Sequence, residues 1–122
     1  MDIIEFREYC LGLGEVEERT PFGKFNAKYD SILAFYVCGH MFCFIDIEDF
    51  SYVDLKAAPE VIEELRMTKS SVGNPINQSL KHWIKIDLAG DVADSQILDL
   101  VKDAFNLIKE KHSPKARRKL QK

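Results

Sequence analysis

The chain is 122 residues long, 46% hydrophobic and 30% charged, which is the composition of one ordinary globular domain with a core of its own. No apolar run approaches the roughly 18 residues of a membrane helix, and the acidic start Met1-Asp2-Ile3-Ile4-Glu5 lacks the basic segment and apolar block of a secretory signal, so a cytoplasmic location is expected. The net charge of −3 divides unevenly: residues 1–101 hold 9 Lys and Arg against 18 Asp and Glu, and residues 102–122 hold 8 against 2. An acidic body with a basic C-terminal end is thus the main electrostatic feature.

A helix is expected from Ile3 to Leu11. Asp2 and Glu5 have the spacing of an N-cap and its N3 partner, Phe6, Tyr9, Cys10 and Leu13 recur at helical spacing, and Gly12 and Gly14 end it. Val16 to Phe22 reads as a mostly polar, half-exposed strand, followed by a loop from Gly23 to Asp30. The strongest β signal follows: Ser31 to Cys38 and Met41 to Ile47, joined at Gly39-His40, where Gly39 supplies the positive φ of a tight hairpin. Glu48-Asp49 forms a turn. The next strand, Ser51 to Lys56, puts Val53 and Leu55 on one face and Tyr52, Asp54 and Lys56 on a wetter one.

Pro59 opens a helix at its favoured first position, with Ile62 and Leu65 inward. Thr68 to Leu80, rich in Ser, Gly and Asn, reads as a long loop. His82 to Leu88 is the last strand, with Trp83, Lys85 and Asp87 alternating against Ile84, Ile86 and Leu88. Asp91 and Asp94 repeat the capping spacing before a long helix to about Lys111, whose stripe is Ile97, Leu98, Val101, Ala104, Phe105 and Ile108. Ser113-Pro114 breaks it, leaving a domain of residues 1–112 and a basic tail, 113–122, read as a short helix or a frayed end. The order α-β-β-β-β-α-β-α predicts an α+β fold: an antiparallel sheet with helices packed on one face.

Little in the chain points to catalysis. His40, His82 and His112 are the only histidines, and no nucleophile elbow, phosphate loop or base–orienter pattern accompanies them. Gly12 and Gly14 follow a helix rather than a strand, so they are no dinucleotide fingerprint. Cys10, Cys38 and Cys43 lack the paired spacing of a disulfide framework or a zinc site and read as free thiols. Asp46, Glu48, Asp49 and Asp54 offer oxygen ligands without the glycine and spacing of a calcium loop, and read as a solvated turn. A non-enzymatic protein with no cofactor and no bound metal is expected. Affinity for duplex DNA comes largely from Lys and Arg on phosphates. The candidates are Lys56, Lys81, His82 and Lys85 on the body, Lys109 and Lys111 on the last helix, and Lys115, Arg117, Arg118, Lys119 and Lys122 in the tail. Trp83, beside His82, is a candidate for stacking on a base, although a Trp at the start of a strand is more often core.

Five landmarks occur in an order that resembles the MmcQ/YjbR family of small bacterial proteins. They are the Phe6/Cys10 helix, the turn Pro21-Phe22-Gly23, the hairpin Val37-Cys38-Gly39-His40-Met41-Phe42, Leu55-Lys56 followed by Pro59-Glu60, and Lys81-His82-Trp83. The resemblance spans nearly the whole chain. His40 stands where the family usually has Lys, and Gly73 to Leu80 replaces the family's Gly-Tyr-x-Met-Asn run. What the resemblance implies is a CyaY-like fold and low-specificity DNA binding through a double-wing arrangement of strands and loops. The alternative is a protein-interaction or small-ligand module that uses the acidic body and the Thr68–Leu80 loop.

Overall fold

The structure is a computed structural model, described here for residues 1–21, 30–75 and 78–113. The first helix, α1 (Ile3–Gly12), is capped as its sequence predicts: Asp2 Oδ1 accepts a hydrogen bond from the Glu5 amide at 2.9 Å. Phe6 and Cys10, one turn apart, are its buried residues. Gly14 and Glu15 both take positive φ, 106° and 54°, and turn the chain into β1 (Glu17–Arg19), which is shorter than the expected Val16–Phe22 strand.

β2 (Ile32–Val37) and β3 (His40–Asp46) form the hairpin. Val37 pairs with His40, so the loop is the two residues Cys38 and Gly39, both at positive φ (52° and 78°). Two consecutive left-handed residues twist the turn the way right-twisted strands require. The register then slips: Tyr36 faces Met41, whereas Phe35 faces Cys43. Phe42 is the extra residue of a β-bulge, and both Phe42 and Cys43 are directed into the helix-side core. This bulge is the physical reason that the alternation of the second strand is hard to read from its sequence.

β4 (Tyr52–Lys56) and β6 (Trp83–Asp87) complete the centre of an antiparallel sheet of order β1-β2-β3-β4-β6-β5. The sixth strand, β5 (Val72–Gly73), lies inside the stretch expected to be loop and pairs Val72 with Ile86 and Gly73 with Lys85 at the edge. Among the described residues the helices lie on one face, as expected. Phe6 and Cys10 of α1, Ile62 and Leu65 of α2 (Pro59–Thr68), and six residues of α3 (Asp94–His112) share a core with Phe35, Val53, Leu55, Ile84 and Ile86. α3 adds Leu100 to the expected stripe, while Leu98 is only half-buried.

The opposite face departs from expectation. The strand alternation holds, but Tyr52 and Asp54 are buried rather than wet. Ile32, Ala34, Phe44, Tyr52 and Trp83 form a second apolar cluster there, with Tyr36 and Met41 packed against it. Neighbouring strands bring these large side chains against one another across the pleat, as where Phe44 meets Trp83. Asp91 is not the cap of α3 either. That position belongs to Ala93, which makes no side-chain capping bond. Asp91 instead accepts four hydrogen bonds at 2.6–3.3 Å, from the amides and hydroxyls of Ser70 and Ser71, and so pins the segment between α2 and β5.

Candidate nucleic-acid interface

Antiparallel register decides which charges share an end of the sheet. Val37↔His40 marks the tip of the β2–β3 hairpin, Cys43↔Leu55 sets β4 against β3, and Lys56↔Trp83 sets β6 against β4. The hairpin tip, the last residue of β4 and the first of β6 therefore lie at one end. The Ala57 amide donates to the His82 carbonyl at 2.9 Å, which holds His82 there too. The imidazole of His40 stacks on that of His112, with ring centroids 3.8 Å apart and planes 20° from parallel. This stacking brings the last turn of α3, with Lys109 and Lys111, to the same end. All three histidines of the chain are thus gathered along one edge of the molecule with Lys56, Lys81, Lys109 and Lys111.

The candidates do not all share that surface. Lys81 and His82 are exposed and Lys56 is half-buried. Trp83 is 6% exposed and packs against Phe44, with ring centroids 5.9 Å apart. It is a core residue, as Trp at such positions more often is, and no base reaches its face while the cluster is intact. Lys85 sits farther along β6 on the second face, with its Nζ 4.4 Å from the centroid of the Tyr52 ring and with Asp54 as its cross-strand neighbour. It stabilises that face by a cation–π contact rather than extending the basic end. Lys115, Arg117, Arg118, Lys119 and Lys122 lie outside the described residues. Pro21 begins a family landmark whose remaining residues also lie outside them. The stacking of His40 on His112, 72 positions apart in sequence, carries no local signal; only the pairing of the strands reveals it.

Carboxylates dominate the other end, and there they have structural partners. Asp46 Oδ1 accepts from the Glu48 and Asp49 amides at 2.9 and 3.3 Å and closes the β3–β4 turn. Asp87 accepts from the Ala89 amide, and Asp94 pairs with the Met1 ammonium at 2.8 Å. The hydroxyl of Ser71, then the amides of Ser70 and Ser71, hold the Asp91 carboxyl well below the usual carboxylate range. Asp54 does not join the acidic turn. It is fully buried within the sheet, opposite Phe44 and Lys85. Among the described residues no three His, Cys, Asp or Glu side chains gather as a metal site would need.

Nor does His40 find a nucleophile in Cys43, which faces the core. The Cys10 and Cys43 sulfurs lie 4.0 Å apart in a thiol–thiol contact with no disulfide, and burial, then this contact, pushes the Cys43 thiol well up. A thiol so held is far from the thiolate that acts as a nucleophile. Two clefts flank α2. One, about 310 Å³, lies between α2 and α3; the other, about 360 Å³, runs beside Met67, Leu80 and Lys81.

A family model described as YjbR matches residues 11–107. The chain is 29% identical over 116 residues to the protein YjbR of Escherichia coli K12, covering 90% of this chain and 92% of that protein. The YjbR of E. coli O157:H7 matches to the same extent. Among solved structures, Deinococcus radiodurans protein DR2400 is similar with a TM-score of 0.80 and 28% identity, over 97% of this chain and 86% of that one. A crystal structure of a Pseudomonas syringae protein shares the fold at a TM-score of 0.68 and 22% identity, over 88% and 98% of the two chains. No helix among the described residues is long and apolar enough to cross a membrane.

Proposed function

The chain belongs to the YjbR family, and we propose that it is a non-enzymatic nucleic-acid-binding module whose contacts are made by the histidine- and lysine-bearing end of the sheet together with the C-terminal basic segment. The observation that carries this reading is the gathering of Lys56, Lys81, His82, Lys109 and Lys111 at the end where the chain leaves α3 at Ser113. Residues 113–122 add five cations and no carboxylate side chain. Among the described residues none of those four lysines forms an ion pair. Cations outside ion pairs are the ones available to displace counterions from a phosphate backbone, and of these Lys109 also lies over the Phe105 ring, 5.5 Å from its centroid. Lysine ammonium groups on phosphates fix position without reading bases, so the binding is of low sequence specificity. The acidic far end repels the same polyanion and orients the approach.

Fluorescence anisotropy of labelled duplex and single-stranded DNA, at two salt concentrations, tests the reading. The full chain is expected to bind, and to lose affinity steeply with salt. Replacing Lys115, Arg117, Arg118 and Lys119 by Gln is expected to flatten the salt dependence, by about 0.9 in log–log slope for each duplex phosphate that is no longer neutralised. Absence of binding at low salt would reject it. One observation favours a second reading, a protein-interaction module: Met67 is 81% exposed and Leu80 54% exposed on either side of the cleft beside α2. A partner seated there would protect Met67 from oxidation, which mass spectrometry reports directly.

A further inference from the structure

The cleft between α2 and α3 has a composition that the nucleic-acid reading leaves unused. Along α3, Leu100, Asp103, Leu107 and Glu110 stand at intervals of three, four and three residues, so they form one stripe. Across the cleft Ala57, Ala58 and Val61 are small and leave it open, and Lys56 and Asn106 complete its lining. The result is an apolar floor whose rim carries two carboxylates against the single cation Lys56. Among the described residues neither Asp103 nor Glu110 has an ion-pair partner. An occupant matching this cleft carries closely spaced cations and one large apolar side chain.

The residues that follow Ser113 have that composition: Pro114-Lys115-Ala116-Arg117-Arg118-Lys119-Leu120-Gln121-Lys122, with Leu120 the only large apolar residue. Ser113 has ψ 154°, so the chain departs from the helical path there, as the residue before a proline should. The reach suffices. Glu110 and Asp103 lie three and ten residues back from Ser113, about 5 and 15 Å along the helix axis at 1.5 Å per residue. Arg117 and Leu120 can extend about 13 and 23 Å from Ser113 at 3.3 Å per residue.

We propose that this cleft is a docking site for the chain's own C-terminal segment, with Arg117 and Arg118 on Glu110 and Asp103 and with Leu120 against Leu107 and Val61. The docked segment is withheld from phosphates, so the cleft and nucleic acid compete for the same cations. This consequence rests on the proposed function; the docking itself does not.

Methyl NMR of the full chain tests the docking without nucleic acid. Replacing Arg117, Arg118 and Lys119 by Gln is expected to shift the methyl signals of Val61, Leu100 and Leu107, and a synthetic peptide of residues 114–122 added to that variant is expected to shift them back. Unchanged cleft methyls in both steps would overturn the proposal, as would a peptide that perturbs only methyls elsewhere. A second variant, Asp103→Asn with Glu110→Gln, changes two exposed side chains and is expected to abolish the peptide's effect. If duplex is bound, that variant should bind it about fivefold more tightly, the worth of one or two exposed ion pairs. Intact methyl shifts with no DNA binding by any form would reject the nucleic-acid reading and leave the docking supported.

Discussion

At the end of the sheet where β3 turns into β4, charge and structure are one thing. Asp46 closes a turn, Asp91 clamps two serines, Asp94 holds the N-terminus and Asp2 caps α1. At the end where β2 turns into β3, the strands and helix are joined by a glycine turn, a bulge and two stacked imidazoles, and the lysines make no ion pair among the described residues. The difference shows where function is to be sought. Charges consumed by backbone amides and caps build the fold, and charges left over at a well-ordered end are available to a partner.

That contrast can be broken from either side. The largest effect is expected at Gly90, where an added Cβ would lie 2.1 Å from Ser71 Cβ and 3.3 Å from the Asp87 carbonyl. Gly90→Val must push Ser71 away from Asp91, and is expected to cost about 3 kcal/mol in urea denaturation, the upper part of the usual range for overpacking. Gly39→Val strains the other end, at φ +78°, by about 1–2 kcal/mol in the same assay.

Acid sharpens the comparison next. The Asp2 and Asp91 carboxyls are held below their ordinary values by the hydrogen bonds they accept, and Glu18 by its contact with Arg7. A lowered folded-state pKa contributes stability above the unfolded value, about 4 for carboxylates, and loses it as pH falls through the folded value. Thermal midpoints should therefore drop steadily below about pH 4, and Asp91→Asn should flatten that drop. The Met1 ammonium is raised by Asp94, so its contribution is present below about pH 8 and fades as pH rises beyond it. The smallest stability effect is expected from His40→Ala, about 1 kcal/mol or less, because a lone stacked ring pair at the surface contributes little more. Its readout is a local shift in the amide signals of the last turn of α3.

Much of this fold is legible in the chain because its signals are local. The Asp2 cap, the tight turn at Gly39, Pro59 at the start of α2 and the α3 stripe each depend on residues within about two helical turns. The features that define the site depend on distant partners. Asp91 has the spacing of an N-cap, but Ser70 and Ser71 offer it four donors. Trp83 sits among cations in sequence, yet β6 turns it onto Phe44. Lys85 reads as a free cation, but the register of β4 places the Tyr52 ring beneath it. The bulge at Phe42 breaks the alternation on which strand reading rests, and the meeting of His40 with His112 appears only once the sheet is assembled.

The measurement that bears most directly on the central claim is a paired anisotropy titration of duplex DNA at constant salt. One full-length variant neutralises the basic end, with Lys56, Lys81, Lys109 and Lys111 changed to Gln. The other neutralises the acidic end, with Glu48→Gln and Asp49→Asn. Binding through the basic end predicts that the first variant loses affinity by more than about tenfold, as several phosphate contacts should be worth, while the second binds as well as the parent or better. A lysine variant that binds as tightly as the parent would contradict the account.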